Sequence, residues 1–393
     1  MNRCVNDINF SFQEINSYQT LKIIDSFSLP KATGYDKISL RAIKENKLVL
    51  LPILTHLVNL VIQQSDFPNC LKIARVTPLF KKGDKTDPSN YRPISILPAL
   101  SKILEKCLSM QIRDYLETNN ILSHKQFSFR KGKSTTTAIN CLMEFLYTNL
   151  DQSNITQGVF LDFSKAFDTI NHKILIEKLG FYNFSLKSSS LVQSYLQNRF
   201  QFTKTDSDCS QMREITIGVP QGSILGPLLF LIFINDLVNA APALDCILFA
   251  DDTNVFSIDN SKLQEELNII NEWCLSNRLI LNNSKTFQVV FKNPSKITQN
   301  HNLCLSLNGS QLQIKDSTQF LGITLDNNLT FKKHIQSLTK KLNYILLILR
   351  FIRPYLDKST MINLYYSFFY SRLIYGIEFW GHGNKTDLNK LFI

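Results

Sequence analysis

The sequence lacks the patterns that mark disulfide frameworks, zinc sites and membrane spans. Its eight cysteines are scattered, with no Cys-x-x-Cys pair and no matching histidine spacing. A disulfide scaffold and a zinc knuckle are therefore excluded, and the thiols are expected to be reduced in an intracellular protein. The segment Met1–Phe10 is polar, and no apolar run is expected to reach membrane-spanning length. We therefore expect no signal peptide, no transmembrane segment and no membrane partner.

Glycine is also scarce, and its distribution is informative. Of 13 glycines in 393 residues, three are Gly218, Gly222 and Gly226. Glycine permits positive φ and close backbone approach to a ligand, and Pro227 suits the first turn of an apolar helix expected over Leu228–Leu237. Gln221 between these glycines is placed to offer its amide to a nucleotide. An ordinary loop leading into a buried helix fits this segment alone equally well.

Two adjacent carboxylates, Asp251 and Asp252, interrupt the otherwise apolar run 247–256 at the expected turn of a hairpin. This apolar setting predicts that both charges are buried. Unpaired carboxylates beside a core are costly, so such a pair usually meets metal ions or a basic partner. Neighbours on a strand point to opposite faces, so we expect Asp251 to be the principal ligand and Asp252 the secondary one. If the pair stood alone, an ordinary turn would be the commoner explanation.

A third carboxylate, Asp162, is expected to end a short apolar strand that begins at Thr156. A turn and a helix from about Thr169 should follow, with Asp168 as its N-cap. A two-metal phosphoryl-transfer centre requires ligands from more than one secondary-structure element. Magnesium prefers oxygen ligands, so two Mg²⁺ ions are expected, with Mn²⁺ as an alternative.

These segments resemble the reverse transcriptases of non-LTR retrotransposons, especially jockey-like elements of the long interspersed type. The resemblance rests on DFSKAFD at 162–168, GVPQGSILGP at 218–227 and FADD at 249–252. Further similar blocks begin at Lys31, Ala74, Asn90, Trp273 and Phe320, so the resemblance covers roughly residues 30 to 380.

The resemblance implies an α/β (α+β) right-hand polymerase that copies RNA into DNA. A helical extension over 1–60 would pack on the fingers, fingers and palm would span 61–326, and a helical thumb would occupy 327–393. The palm would be an antiparallel sheet of the Asp162 strand, the Asp251 hairpin and the Lys285 strand, backed by helices such as Leu263–Leu275.

Roles for individual residues also follow from the resemblance. Asp162, the backbone carbonyl of Phe163, Asp251 and Asp252 would hold the metal ions, and Lys285 would protonate or neutralise the departing pyrophosphate. The incoming nucleotide would be bound by five further residues: Arg92, Lys81, Lys82, Phe167 and Gln221. Phe167 would exclude a 2′-hydroxyl, although core packing also explains a phenylalanine there; a solvated lysine is the alternative for Lys285.

The charge balance favours a polyanionic partner. The formal net charge is +11 and the pI about 9.1, which supplies sequence-independent, salt-sensitive affinity for nucleic acid. The expected partners are an RNA template, a DNA primer and deoxynucleoside triphosphates. Candidate nucleic-acid contacts are Arg130, Lys131, Lys332, Lys333, Lys340 and Lys341. The last four share one face of a predicted thumb helix, where a merely solvated face is an equally good interpretation.

Two departures from the resembling enzymes leave alternatives open. Ser128 replaces a usual glycine, and no endonuclease or RNase H segment is recognisable. A non-catalytic nucleic-acid-binding remnant of a mobile element is therefore one alternative. An RNA-directed RNA polymerase is another, against which Phe167 and Ala250 argue. The sequence leaves open which RNA is copied and whether the protein oligomerises, and only the resemblance implies a nuclear location.

Overall fold

The computed structural model describes residues 9–28, 32–205, 208–293 and 304–391. Contacts divide the chain into two compact units. The first unit comprises Met1–Phe129, Phe163–Ala240 and Glu272–Ile280, and the second comprises Arg130–Asp162, Ala241–Asn271 and Leu281–Ile393. Part of the expected N-terminal helical extension, at 1–8 and 29–31, lies outside the described residues. Lys31, the first residue of one block that resembles the reverse transcriptases, is among them.

The α-helices are α1 Ser17–Asp25, α2 Leu40–Glu45, α3 Lys47–Gln64, α4 Ala99–Thr118, α5 Thr135–Asp151, α6 His172–Phe181, α7 Leu186–Leu196, α8 Leu225–Ile234, α9 Leu237–Ala240, α10 Asn260–Ser276, α11 Lys332–Ile352, α12 Lys358–Leu364, α13 Ser371–Ile374, α14 Ile377–Trp380 and α15 Lys385–Leu388. The strands are β1 Ile73–Phe80, β2 Tyr91–Ile96, β3 Thr156–Leu161, β4 Arg199–Thr203, β5 Arg213–Ile215, β6 Asp245–Phe249, β7 Asp252–Ser257, β8 Phe287–Phe291, β9 Ser306–Leu307, β10 Ser310–Gln311, β11 Gln313–Ile314, β12 Ser317–Phe320 and β13 Ile323–Asp326.

The first unit contains a four-stranded mixed sheet and a buried helix. The strand order is β2-β1-β4-β5, with β1 antiparallel to β2 and parallel to β4. Helix α8 is apolar on every side and buried along its length, as expected of a helix without a polar face. It begins three residues before the predicted Leu228, because Pro227 is accommodated in the first turn, where backbone N–H groups need no intrahelical acceptor.

The second unit is built on a five-stranded sheet of order β11-β8-β3-β7-β6. The central strand β3 is antiparallel to both β7 and β8, and β7 is antiparallel to β6. The prediction that the Asp162, Asp251 and Lys285 segments share one antiparallel sheet is therefore confirmed, with β11 added as a parallel edge strand. All six residues of β3 are buried, including the polar Thr156 and Gln157 at its start.

Helices follow this sheet, as predicted for the segment 327–393; the first of them begins at Lys332. Helix α11 buries Ile335, Leu338, Leu342 and Leu349, and its four predicted nucleic-acid lysines are exposed. The helix therefore packs inward through apolar side chains and presents its lysines to solvent, as an amphipathic helix does.

Helix α3 contradicts the expectation that no apolar run reaches membrane-spanning length. Its 18 residues, Lys47–Gln64, are long and apolar enough to cross a membrane by length and composition. These two properties do not separate a membrane span from the core helix of a globular unit. Here Leu54, Val58 and Val61 are buried in the first unit, whereas Leu48 and Val49 are exposed.

Candidate active site

Asp162 lies immediately after the central strand of the second unit. Strand β3 ends at Leu161, one residue earlier than predicted. The Asp162 backbone N–H donates to Thr286 Oγ1 at 3.2 Å, and its carbonyl accepts from the Asn282 N–H at 2.8 Å. Its side chain is 42% exposed. The backbone is therefore fixed from both sides while the carboxylate stays open to solvent.

The acidic pair lies at a two-residue hairpin turn, as predicted. Phe249 and Asp252 are paired across β6 and β7, so Ala250 and Asp251 form the turn. Ala250 has φ +55, a left-handed conformation that glycine usually supplies at such a position. The flanking Leu248 is buried, but Asp251 and Asp252 are exposed. The expectation that these charges are buried was wrong, because Asp251 lies in the turn and Asp252 is the first residue of β7, at the exposed end of that strand.

Strand register brings the carboxylates to one edge of the sheet. The last paired residues of β3 and β7 are Leu161 and Thr253, and the next residues along the two strands are Asp162 and Asp252. Adjacent strands are separated by about 4.8 Å in the hydrogen-bonding direction. Asp162, Asp252 and the turn residue Asp251 therefore share one end of the strand pair.

Lys285 contributes a positive charge at the same edge. Its Nζ lies 3.9 Å from Asp162 Oδ2, and its side chain is 67% exposed. A pair this exposed contributes little to stability. The arrangement instead places a proton-bearing ammonium group beside a carboxylate that remains accessible.

The chemistry of these carboxylates determines which kind of ion they could bind. Within the described ranges, no group of three or more His, Cys, Asp or Glu side chains is arranged to hold a metal ion. Magnesium, however, is commonly bound by one or two carboxylates together with substrate phosphates and water. The donor set at this edge consists of hard, exposed carboxylate oxygens, so its chemistry fits such an ion.

In the first unit, the glycine-rich segment forms a turn, Gly218–Ser223, that two glycines make possible. Gly218 has φ +81 and Gly222 has φ +112. A Cβ would lie 2.5 Å from the Asp168 carbonyl oxygen at the first position and 2.7 Å from the Ser95 carbonyl oxygen at the second. No real Cβ tolerates such distances, so glycine is required at both positions for close backbone approach.

Gln221 is held at both its side chain and its backbone. Its Nε2 donates to Asp168 Oδ1 at 2.9 Å, and its carbonyl accepts from the Ser95 N–H at 2.7 Å. Burial raises the pKa of the Asp168 carboxyl, and the bond from Gln221 counteracts this rise. Asp168 is therefore not the predicted N-cap. The helix begins at His172, and Asn171 caps it by accepting from the Ile174 N–H.

Phe167 rests against the buried helix of the first unit. Its ring stacks on Phe230 of α8, with centroids 4.6 Å apart and planes inclined by 27°. Its backbone carbonyl accepts from the Val219 N–H at 2.8 Å. The ring is half-buried, so one face is supported by the core.

The remaining predicted contacts lie on more open parts of each unit. Arg92 is exposed on β2, opposite Leu79, and Lys81 and Lys82 are exposed in the turn between β1 and β2. Lys131 is exposed in the second unit and Arg130 is half-buried.

Ser128 is accommodated without backbone strain. It is buried, and both its N–H and its hydroxyl donate to Gln126 Oε1 at 3.0 Å. The residue with a left-handed backbone in this turn is Phe129, at φ +53.

Several groups that hold the predicted residues in place were not predicted from the sequence. Thr286 and Asn282 fix the Asp162 backbone, and Glu105 binds the end of the glycine-rich segment. For Glu105 a signal existed, because a carboxylate within the apolar side of a helix must find a partner. Thr286 and Asn282 carry no comparable signal.

Comparison with known proteins identifies a matching family and several relatives. The family described as "Reverse transcriptase (RNA-dependent DNA polymerase)" matches residues 80–325. A probable RNA-directed DNA polymerase from transposon BS of Drosophila melanogaster is 29% identical over 405 aligned positions, covering 98% of this chain and 44% of the relative. The RNA-directed DNA polymerase from mobile element jockey of the same organism is 29% identical, covering 94% of this chain and 42% of the relative. A probable RNA-directed DNA polymerase from transposon X-element is 27% identical, with 95% and 42% covered. The chain thus spans less than half the length of these relatives.

Proposed function

Since this chain belongs to the reverse transcriptase family, we propose that it is the RNA-directed DNA polymerase of a non-LTR retrotransposon. Its substrates would be an RNA template, a DNA primer and deoxynucleoside triphosphates. The five-stranded sheet of the second unit would be the palm sheet, the β1–β2 hairpin would belong to the fingers, and α11 would begin the thumb.

The observation that carries this proposal is the group of charged residues at one edge of the palm sheet. Asp162 and Asp252 follow in register on neighbouring strands, Asp251 forms the adjoining turn, and Lys285 lies 3.9 Å from Asp162. Three carboxylates exposed at the end of buried strands are costly to stability through mutual repulsion. They are explained by a reaction that needs cations at this position.

The chain's own groups then have distinct tasks. Asp162, Asp251, Asp252 and the Phe163 carbonyl would hold two divalent ions, Mg²⁺ or Mn²⁺. When bound, such ions activate the primer 3′-hydroxyl and neutralise charge on the triphosphate. Lys285 would donate a proton to the departing pyrophosphate or neutralise its charge, as a general acid beside the carboxylates.

A second set of residues would bind the incoming nucleotide. Arg92 offers a guanidinium fork suited to phosphate oxygens, and Lys81 and Lys82 add point charges. Gln221, held by Asp168, would contact the nucleotide through its turn. The half-buried ring of Phe167 would exclude a 2′-hydroxyl, because its support on Phe230 prevents it from moving away.

Nucleic-acid strands would be bound mainly through their phosphates. Arg130 and Lys131 in the second unit, together with Lys332, Lys333, Lys340 and Lys341 on α11, would supply salt-dependent contacts of this kind.

Primer extension on an RNA template tests the proposal directly. Extension with deoxynucleotides and Mg²⁺ is expected from the wild type and should be abolished by EDTA and by Asp251→Ala. Asp251 is exposed, so its loss should leave folding and template binding unchanged. Asp245→Ala, at the far end of the same hairpin, is the matched control and should remain active.

Three results would contradict the proposal. Incorporation of ribonucleotides alone would indicate an RNA-directed RNA polymerase. No synthesis by folded, template-binding protein would indicate a non-catalytic remnant. Extension by Asp251→Ala would show that the metal assignment is wrong.

A further inference from the structure

The first turn of helix α8 is buried, so its backbone N–H groups need acceptors other than water. The first N–H groups of a helix have no intrahelical partner, and leaving such a donor buried and unpaired is costly. Ser223 Oγ accepts from the Gly226 N–H at 3.0 Å, as a helix N-cap does. That leaves the N–H groups of Ile224 and Leu225, which directly follow the turn carrying Gln221.

A carboxylate from a distant helix binds both groups. Glu105 Oε2, on α4, accepts from the Ile224 N–H at 2.7 Å and from the Leu225 N–H at 3.2 Å. Its other oxygen, Oε1, accepts from Ser101 Oγ at 3.0 Å. The Glu105 side chain is completely buried. The charge of the carboxylate also complements the positive end of the α8 dipole.

The surroundings of Glu105 are polar although they are buried. Arg199 is fully buried, and its positive charge lowers the pKa of Glu105 while burial raises it more strongly. Arg199 Nη1 donates to the Tyr195 carbonyl at 2.9 Å, but Nε and Nη2 have no hydrogen-bond partner among the described residues. The Tyr195 phenol is also buried in this region, where burial and the nearby Glu105 raise its pKa.

We propose that Glu105 is a positioning residue for the incoming nucleotide, acting through the Gly218–Ser223 turn to fix the location of Gln221. This inference rests on the proposed polymerase function. The turn is held in the first unit along its whole length. Its first residues bind Ile170, Phe167 and His172. Asp168 and Ser95 bind Gln221, and Glu105 binds the two N–H groups where the turn enters α8. Without Glu105, the junction between the turn and α8, three to four residues after Gln221, loses the acceptor of its two N–H groups.

The competing explanation is that Glu105 only stabilises α8. The opposite end of the same helix offers a matched control. Lys178 Nζ is buried there and donates to the Phe233 carbonyl at 2.6 Å and to Asp236 Oδ1 at 2.5 Å. Lys178→Met therefore weakens α8 from its C-terminal end without touching the turn.

Steady-state primer extension with varied deoxynucleotide separates the two explanations. Glu105→Leu removes both acceptor oxygens and should raise KM for deoxynucleotide by about tenfold, whereas Lys178→Met should lower stability and leave KM unchanged. Glu105→Gln keeps an oxygen acceptor for the two N–H groups and should restore KM. If Glu105→Leu does not fold, Ser101→Ala, which frees Oε1, should raise KM by a smaller factor.

A double-mutant cycle identifies the residue through which Glu105 acts. In a Gln221→Ala background, Glu105→Leu should have no further effect on KM, because the side chain it positions is already gone. An equal KM change in Lys178→Met, or a Glu105 effect that persists undiminished without Gln221, would overturn the inference.

Amide hydrogen exchange supplies a readout that does not require activity. Exchange across residues 218–226 should accelerate in Glu105→Leu and stay unchanged in Lys178→Met, and the reverse would refute the role of Glu105 in holding the turn. An active wild type with an unaltered KM in Glu105→Leu refutes this inference alone. A folded wild type that makes no DNA refutes the polymerase function instead.

Discussion

Replacing Gly158 with alanine tests whether the central strand of the five-stranded sheet is as tightly packed as its geometry indicates. Gly158 is buried in β3, directly opposite Phe256 of β7. A Cβ at Gly158 would lie 2.7 Å from Phe256 Cε1 and 3.3 Å from Phe291 Cε2. The first distance is too short for any carbon pair, so the Phe256 ring must move.

The size of the effect follows from how firmly Phe256 is held. Its ring is in edge contact with Phe160 at 5.8 Å and lies 6.2 Å from Phe145. Overpacking of this kind costs about 1–3 kcal/mol, and the loss of glycine's flexibility in the unfolded chain returns about 0.4–1 kcal/mol. We therefore expect a net destabilisation of about 1–2 kcal/mol. Displacement of β7 also moves Asp251 and Asp252 relative to Asp162, so extension should fall by roughly a hundredfold.

The two tryptophans allow each unit to be followed separately. Trp273 lies in the first unit and Trp380 in the second, and both are buried. Urea unfolding of Gly158→Ala would be recorded by Trp380 fluorescence in a Trp273→Phe background. Gly180→Ala is the control. A Cβ there meets no atom within 4 Å, so it should stabilise the first unit by about 0.5–1 kcal/mol, recorded by Trp273 in a Trp380→Phe background.

A second substitution that relieves the contact between the new Cβ and Phe256 tests whether this contact causes the destabilisation. Phe256→Leu shortens the side chain that the new Cβ meets. The double variant Gly158→Ala/Phe256→Leu should therefore lose less free energy of unfolding than the two single variants lose together. If Gly158→Ala is as stable as the wild type, or if the two substitutions change the free energy of unfolding additively, the close contact with Phe256 does not determine the stability at this position.

Three further outcomes are expected. Phe167→Val should raise ribonucleotide use relative to deoxynucleotide by roughly 10–200-fold in single-nucleotide extension; unchanged discrimination would contradict the gate. Lys285→Met should change the free energy of unfolding by less than about 1 kcal/mol, since its pair with Asp162 is exposed, yet slow extension by at least about a hundredfold. Burial and Lys341 lower the pKa of His334 to about 4. Between pH 6.5 and 4 the unfolded chain therefore binds a proton that the folded chain does not. The free energy of unfolding should therefore fall by roughly 3 kcal/mol as pH drops through this window. In His334→Leu, the free energy of unfolding measured with urea should depend less on pH over the same range.

The elements that carry the carboxylates could be predicted because their patterns are local. An apolar run ending in Asp162 and a hairpin interrupted by an acidic pair each determine a strand and its end. Their common sheet followed from the resemblance and is confirmed by the pairing of β3 with β7 and β8. Burial of Asp251 was predicted wrongly, because an apolar neighbourhood in sequence does not show that a two-residue turn projects its side chains into solvent.

Contacts between distant segments could not be predicted in the same way. Asp168 has the composition of an N-cap and lies before a helix, yet Gln221, 53 residues later, binds it. Asn171 has the same capping chemistry three residues downstream. Local propensity did not decide between the two, because the choice depends on a partner that only the folded chain brings near.

Helix α8 shows what such distant contacts add to a simple sequence pattern. Its apolar run predicts only a buried helix, but two proposed nucleotide contacts depend on it. Phe230 supports the ring of Phe167, and the helix N-terminus, bound by Glu105, leads directly from the turn that carries Gln221. A buried helix packed on every side has few ways to shift. The sugar gate and the amide would therefore keep a fixed separation within the first unit, which is what selection of one nucleotide geometry requires.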